Sequence, residues 1–364
     1  MKPVVKPLIV PLFIPHSGCP HQCVFCNQKT ITGKRDKPVD AAAMEKIVDT
    51  YLGYTRGAPR EVQLAFYGGT FLGLPPSTTA ALIAEAKRLV AIKKISAIRF
   101  STRPDTITEE TLDRLGEIPV KAIELGVQSM DNAVLAQAGR GHTACDTEKA
   151  IVLIRKRGYR LGLQMMTGLP GESADSARRT GERIAFFAPD FVRIYPTLVL
   201  PGSPLADLYK NGRFRPHSLS DTVTLVKEIY LTFHRRQIPV IRMGLQAQAS
   251  LLAPSGMLAG PYHPAFGHLV FSALFCDMAE KLLTASPPHA AGPLTIEVHR
   301  RSIAKMRGLA NANITWLTNR FALSKIRVRP AEDLSQETVR IDSSQVTYSS
   351  LYSPTAIRPE QTAH

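Results

Sequence analysis

Three cysteines fall within eight residues, Cys19, Cys23 and Cys26, in the run His16-Ser17-Gly18-Cys19-Pro20-His21-Gln22-Cys23-Val24-Phe25-Cys26-Asn27-Gln28. Thiolates spaced C-x3-C-x2-C can wrap one face of an iron–sulfur cube, which ordinarily takes four cysteines. No fourth cysteine follows, so one iron would stay open to an outside ligand. The same thiols could instead hold a structural zinc, with His16, His21 or His142 as fourth ligand. The second C-x2-C pair of a zinc ribbon is missing, which favours iron–sulfur. Cys145 and Cys276 are isolated, so no disulfide framework is expected and a reducing compartment fits.

A loop of this kind needs a scaffold, and the chain supplies one. Short apolar runs at Leu8–Ile14, Val62–Tyr67, Ala97–Thr102, Ala122–Gln128, Arg160–Met166 and Phe191–Leu198 read as strands. Between them, Ala41–Tyr54, Ser77–Ile92, Glu109–Leu115, Asp131–Ala138, Asp146–Arg157 and Ala174–Phe187 carry apolar residues at helical spacing. Six strand–helix units in series predict an α/β fold, a parallel sheet with right-handed crossovers that forms a partial, TIM-like (β/α)6 barrel. Glycines and polar groups follow each strand: the cysteine loop, then Tyr67-Gly68-Gly69-Thr70, Ser101-Thr102-Arg103, Gly126-Val127-Gln128-Ser129, Gln164 to Gly171, and Tyr195-Pro196-Thr197. Their convergence on one edge predicts a site there.

The cysteine loop, with Phe25 just before its last cysteine, resembles the signature of the radical S-adenosylmethionine enzymes. The runs Glu124-Leu125-Gly126-Val127-Gln128-Ser129, Arg140-Gly141-His142-Thr143 and Ile194-Tyr195-Pro196-Thr197-Leu198-Val199 are similar to the radical domain of the Elongator catalytic subunit, as is Gly202-Ser203-Pro204-Leu205 with Tyr209–Phe214. The resemblance covers about residues 8–240. It implies a [4Fe-4S] cluster on Cys19, Cys23 and Cys26 whose open iron is chelated by the amine and carboxylate of S-adenosyl-L-methionine, and a 5′-deoxyadenosyl radical that abstracts hydrogen from substrate. By position, Gly68, Gly69 and Thr70 match the glycine motif that receives the methionyl amine. Ser101 and Arg103 lie at the third strand end, where the family contacts the cofactor; Gln128 and Gln164, at the expected fourth and fifth strand ends, could bond the ribose hydroxyls. Arg140 is assigned to the methionyl carboxylate, because a guanidinium forks onto carboxylates.

Plainer roles stand beside these. Arg103 and Arg140 could be surface salt-bridge residues, Gln128 and Gln164 caps of buried strand ends, and Glu124 a structural acid. His142 reads as a hydrogen-bonded packing residue, Met165 and Met166 as core, and Tyr195 as barrel packing.

Lys and Arg outnumber Asp and Glu 45 to 30, a formal net charge of +15. That excess suits a polyanionic partner, tRNA or another RNA, or equally a solvated basic surface. Residues 1–240 are expected to form the radical domain, 241–285 a helical segment completing or covering the barrel, 286–348 a small basic α/β domain, and 349–364 a disordered tail. In the third segment His299, Arg300, Arg301, Lys305, Arg307, Arg320, Lys325, Arg327 and Arg329 lie near Trp316 and Phe321, a composition that could grip RNA. The acetyltransferase domain of the Elongator subunit is not expected here. Four prolines break the apolar N-terminus, which reads as a strand rather than a leader, and no apolar run reaches the ~20 residues of a membrane span. A cytoplasmic location is expected, with an electron donor such as flavodoxin or ferredoxin. The resulting reading is radical modification of an RNA base. The alternatives are the same chemistry on a tetrapyrrole or small metabolite, as in the coproporphyrinogen oxidases and haem chaperones, and a metal-stabilised RNA-binding protein without catalysis.

Overall fold

The computed structural model describes residues 7–14, 19–27, 41–55, 61–245, 251, 256–287 and 293–351. His16, Ser17, Gly18, most of the tail and residues 288–292 of the expected linker lie outside them. Two compact units divide the chain: 1–222 with 238–264, and 223–237 with 265–364.

The first unit is a curled, all-parallel sheet in strand order β1-β2-β3-β4-β5-β6-β7. Its strands are β1 (Leu8–Phe13), β2 (Val62–Tyr67), β3 (Ala97–Thr102), β4 (Val120–Gln128), β5 (Arg160–Thr167), β6 (Phe191–Pro196) and β7 (Val240–Met243). This is one strand more than the alternation indicates. Four residues, Val240-Ile241-Arg242-Met243, are too short to register as a periodic run.

The period-two pattern separates the sheet's faces. Leu64, Phe66, Ile98, Phe100, Ile123, Leu125, Leu163, Met165, Val192 and Ile194 occupy one parity and are fully buried. This is the face that right-handed crossovers cover with helices. Residues of the other parity share the inner, concave face, and cross-strand register sets them in rows. Ser101, Glu124, Gly162 and Phe191 make one row; Gly126, Gln164, Arg193 and Arg242 make the next.

Helices start where their caps say they should. Pro76 opens α2 (Pro76–Ala91; α1 is Ala41–Gly53), a position where its missing N–H costs nothing. Reciprocal capping boxes start α3 (Glu109–Asp113) from Thr108, α5 (Ala144–Lys156) from Thr143 and α6 (Ala174–Phe186) from Ser173. Asp131 caps α4 (Asn132–Gln137), and Ser203 caps α7 (Pro204–Lys210).

The second unit holds most of α8 (Leu219–Arg235), α9 (Phe266–Ala285), and a four-stranded sheet in order β11-β10-β8-β9. Its strands are β8 (Leu294–Val298), β9 (Ile326–Pro330), β10 (Thr338–Ile341) and β11 (Ser344–Thr347), with short helices α10 (Ile303–Arg307) and α11 (Ala312–Arg320). The segment read as completing the barrel is therefore divided: β7 extends the first sheet, while α9 packs within the second unit. The aromatic side chains of Tyr230, Phe271, Phe275 and Tyr348 meet edge to face there. Tyr348, at the threshold of the expected tail, is fully buried.

Candidate active site

The cysteine loop follows β1 and is tied down from both sides. Val24 donates its N–H to the Ala138 carbonyl at 3.0 Å, and its own carbonyl accepts from Leu205 N–H at 2.8 Å. Phe25 packs against Val134, Ala138, Met166 and Leu169 on one side and Val199, Leu205 and Ala206 on the other. The His21 ring lies over Gly141, whose φ of +66° and bare α-carbon leave room for it.

Each thiol with a recorded partner meets a different element. Cys19 Sγ lies 3.1 Å from Thr70 Oγ1, just beyond β2. Cys23, buried, receives the Arg140 Nη1 at 3.1 Å and the Arg103 Nη1 at 3.7 Å. Cys26 is half-buried, and its N–H donates to the Cys23 carbonyl at 3.1 Å. Among the described residues no three His, Cys, Asp or Glu side chains are grouped as a metal site. Of the histidines considered as zinc ligands, His16 lies outside the described residues. His142 is committed to the Val127 carbonyl through Nε2 at 3.2 Å.

The rim residues sit where the strand ends put them. Gly68 turns the chain at φ +92°, and a β-carbon there would stand 3.2 Å from the Ile14 carbonyl oxygen. It leads through Gly69 into buried Thr70. Arg103 is held by Asp105, Nε at 2.9 Å and Nη2 at 3.0 Å, and also donates to the Arg140 carbonyl. Arg140 donates to the Gly126 carbonyl, and its buried Nε has no hydrogen-bond partner among the described residues. Neither arginine is a surface ion-pair residue: both are at most 5% exposed. Gln128 closes β4 at φ +71°, where the β4–β5 register shifts, and accepts from Gln164 Nε2 at 3.3 Å. A side chain longer than glycine's is in that region only against steric cost, a feature that clusters at functional sites. Ser101 is half-buried on the inner face beside Glu124.

Two residues here titrate unusually. Burial, and next the Arg140 charge, push the His142 imidazole down to about 4, so it is neutral at pH 7. Burial raises the Glu172 carboxyl to about 8, against the opposing N–H bonds from Gly168 (2.5 Å) and Leu169 (3.4 Å).

Below the rim, the inner face carries a network that the sequence reading missed. Glu124 Oε1 accepts from Arg99 Nη2 at 2.6 Å and from the Tyr67 hydroxyl at 2.9 Å; Oε2 accepts from Arg193 Nε at 2.7 Å. Arg193 also lies over the Tyr67 ring, 5.6 Å from its centroid. Burial, reinforced by Glu124, holds the Tyr67 phenol well above its usual range and thus protonated. Beneath, Phe191 crosses Gly162, and Arg99 lies over that ring at 5.3 Å. The visible signal was an arginine inside each of two apolar strands, Ile98-Arg99-Phe100 and Val192-Arg193-Ile194.

The donor set suits an anionic iron–sulfur cluster with an amino-acid cofactor. Three thiols share one anchored loop, two buried guanidiniums offset thiolate charge, Gly68 leaves backbone uncovered, and Arg140 retains an unpartnered buried N–H. In the second unit, the basic stretch is only partly available to a ligand. Lys305 lies over Phe271 and Phe275, 5.1 and 5.7 Å from their centroids, and burial pushes its pKa down. Arg301, Arg307, Lys325, Arg327, Arg329 and Trp316 are exposed. No helix of the described residues is long and apolar enough to cross a membrane.

Comparison with known proteins follows the same lines. The radical SAM superfamily matches residues 13–184, and the radical SAM C-terminal domain matches residues 189–275. A tRNA uridine(34) acetyltransferase of Methanocaldococcus infernus is 28% identical over 259 residues, covering 60% of this chain and 48% of that protein. Its counterpart in Dehalococcoides mccartyi is 26% identical over 274 residues, 64% of this chain and 60% of that protein. Human Elongator complex protein 3 is 32% identical over 190 residues, 46% of this chain and 35% of that one. The chain thus spans between 35% and 60% of the length of these three relatives. Among solved structures, the archaeal Methanocaldococcus infernus Elp3 with an N-terminal deletion superposes with a TM-score of 0.57 at 21% identity, over 76% of this chain and 63% of that one. That likeness is one of fold.

Proposed function

The chain belongs to the radical S-adenosylmethionine superfamily, and we propose that it is an enzyme of that class which modifies a tRNA base. The observation that carries the reading is the meeting of the cysteine loop with Thr70, Arg103 and Arg140 at the edge where Gln128 closes β4 and takes a hydrogen bond from Gln164, inside β5. In this reading Cys19, Cys23 and Cys26 hold a [4Fe-4S] cluster, and S-adenosyl-L-methionine lies along the rim. When bound, the two supply one-electron chemistry that ends in hydrogen abstraction from the substrate.

The chain's own residues bind and orient. Gly68, Gly69 and Thr70 present backbone to the methionyl amine, and the guanidinium of Arg140 takes the carboxylate. Gln128 and Gln164 bond ribose hydroxyls, while Ser101 and Arg103 line the cofactor. Asp105 fixes Arg103, so its charge stays beside the thiolates. Phe191 and the Glu124 network close the floor and exclude water from below.

The tRNA assignment draws on two supports: the substrate in the names of the relatives, and a net charge of +15. Exposed Arg301, Arg307, Arg327, Arg329 and Trp316 of the stretch 286–348 contribute to RNA contact. A flavodoxin or ferredoxin supplies the electron. Total tRNA from cells lacking the protein, digested to nucleosides and resolved by mass spectrometry, should have lost one modified nucleoside. It should return with the wild-type chain and not with Cys23→Ala. An unchanged nucleoside profile would remove tRNA as the substrate.

A further inference from the structure

The inner face of the first sheet holds three guanidiniums, those of Arg99, Arg193 and Arg242, against one carboxylate. Glu124 is the one acidic side chain bonded to any of them among the described residues, and it is fully used by Arg99, Arg193 and Tyr67. The Arg242 side chain has no hydrogen bond or ion pair there. It stands on β7 as the direct register partner of Arg193 on β6.

Adjacent strands lie ~4.8 Å apart, and like charges placed directly opposite destabilise a sheet. This opposition is built in by an irregularity. Val240 pairs with Val192 and Arg242 with Arg193, so the register passes over Ile241, which is left 49% exposed. Regular pairing would have put Ile241 opposite Arg193. Bulges of this kind re-aim side chains beside active sites. With Glu124 shared between Arg99 and Arg193, this face is left short of negative charge, which a bound anion would supply.

We propose that the inner face between Arg193 and Arg242 binds an oxyanion of the substrate, a phosphate or a carboxylate. Guanidinium forks donate bidentately to either group. Glu124 holds Arg193 through Nε, which orients the guanidinium. The Tyr195 hydroxyl, 3.4 Å from Arg193 Nη1, adds a neutral donor at the same place. The inference rests on the proposed function only in taking this face as the substrate's; the anion site is a property of the resting chain.

The test therefore needs no turnover. The full chain is titrated calorimetrically with inorganic phosphate, and separately with acetate, at constant ionic strength held by chloride. Saturable binding of at least one probe is expected, weakened about tenfold or more in Arg242→Gln, as for loss of a charged hydrogen bond. It should be unchanged in Arg179→Gln, an exposed arginine on α6. Arg242→Gln breaks no bond among the described residues and removes a like charge opposite Arg193, so it should unfold no lower than wild type, while Arg242→Lys should bind with intermediate affinity. Preference for phosphate points to a nucleic-acid backbone group, and preference for acetate to a carboxylate-bearing substrate; both uphold the site. Absence of saturable binding by wild type, or equal binding by Arg242→Gln, overturns it. A failed tRNA assay with intact anion binding would remove the substrate reading and leave the site.

Discussion

Replacing Glu124 with Gln keeps the shape of the side chain and removes its charge. Arg99 and Arg193 would then be left on the inner face with no carboxylate. The side chains of Glu124, Arg99 and Arg193 are 5%, 11% and 17% exposed, so water screens the loss poorly. At an effective dielectric near 20, each close pair is worth roughly 4 kcal/mol of Coulomb energy, part of it offset by the cost of burying the charges. Breaking a buried pair by removing one partner costs about 3–5 kcal/mol. For a unit of this size that lowers the melting temperature by roughly 6–20 °C. Thermal unfolding followed by far-ultraviolet circular dichroism reads the change directly. Combining Glu124→Gln with Arg193→Met should recover a large part of the loss, since one of the two orphaned charges goes with it. Stability of Glu124→Gln within about 1 kcal/mol of wild type, the value of an exposed pair, would refute the buried-network account.

Gly162→Ala places a methyl group on the Phe191 ring and should destabilise by about 1–3 kcal/mol through overpacking. Adding Phe191→Leu should relieve it, and an Ala variant as stable as wild type would show that Phe191 does not cross the strand there. His142 is neutral in the fold down to about pH 4 but gains a proton in the unfolded chain below about 6.5. Unfolding therefore takes up a proton in that window, and stability falls by up to about 3 kcal/mol as pH drops from 6.5 to 4. Denaturant titrations of wild type and His142→Gln across that range should diverge toward acid, with the variant flatter; parallel profiles would contradict the assignment.

Much of this architecture was legible in the chain itself. Six of seven strands carry β-branched or apolar runs long enough to show their period, and each ends in glycines or polar groups that mark the rim. Arg103, Arg140, Gln128 and Gln164 were reached through motif position; Arg103 and Arg140 donate toward Cys23, while Gln128 and Gln164 bond each other. The inner-face network was harder to see, because Arg99, Glu124 and Arg193 come from three strands and only the register brings them together. Arg242 lay on a four-residue strand whose pairing skips Ile241, so neither length nor alternation announced it. In the second unit β10 and β11 are also four residues each, and Tyr348 owes its burial to aromatic partners far away in the chain. Lys305 looked like an RNA ligand by charge, yet its ammonium lies over two phenylalanine rings.

The central claim is that the rim of this sheet holds a thiolate-ligated cluster and S-adenosylmethionine in working order. The direct measurement is 5′-deoxyadenosine formed by the anaerobically reconstituted, reduced full chain supplied with S-adenosylmethionine. The account predicts release by wild type, none by Cys23→Ala, and at least tenfold less by Arg140→Met, about the effect of losing one charged hydrogen bond. Reconstituted protein that carries a full [4Fe-4S] complement yet releases no 5′-deoxyadenosine would contradict it.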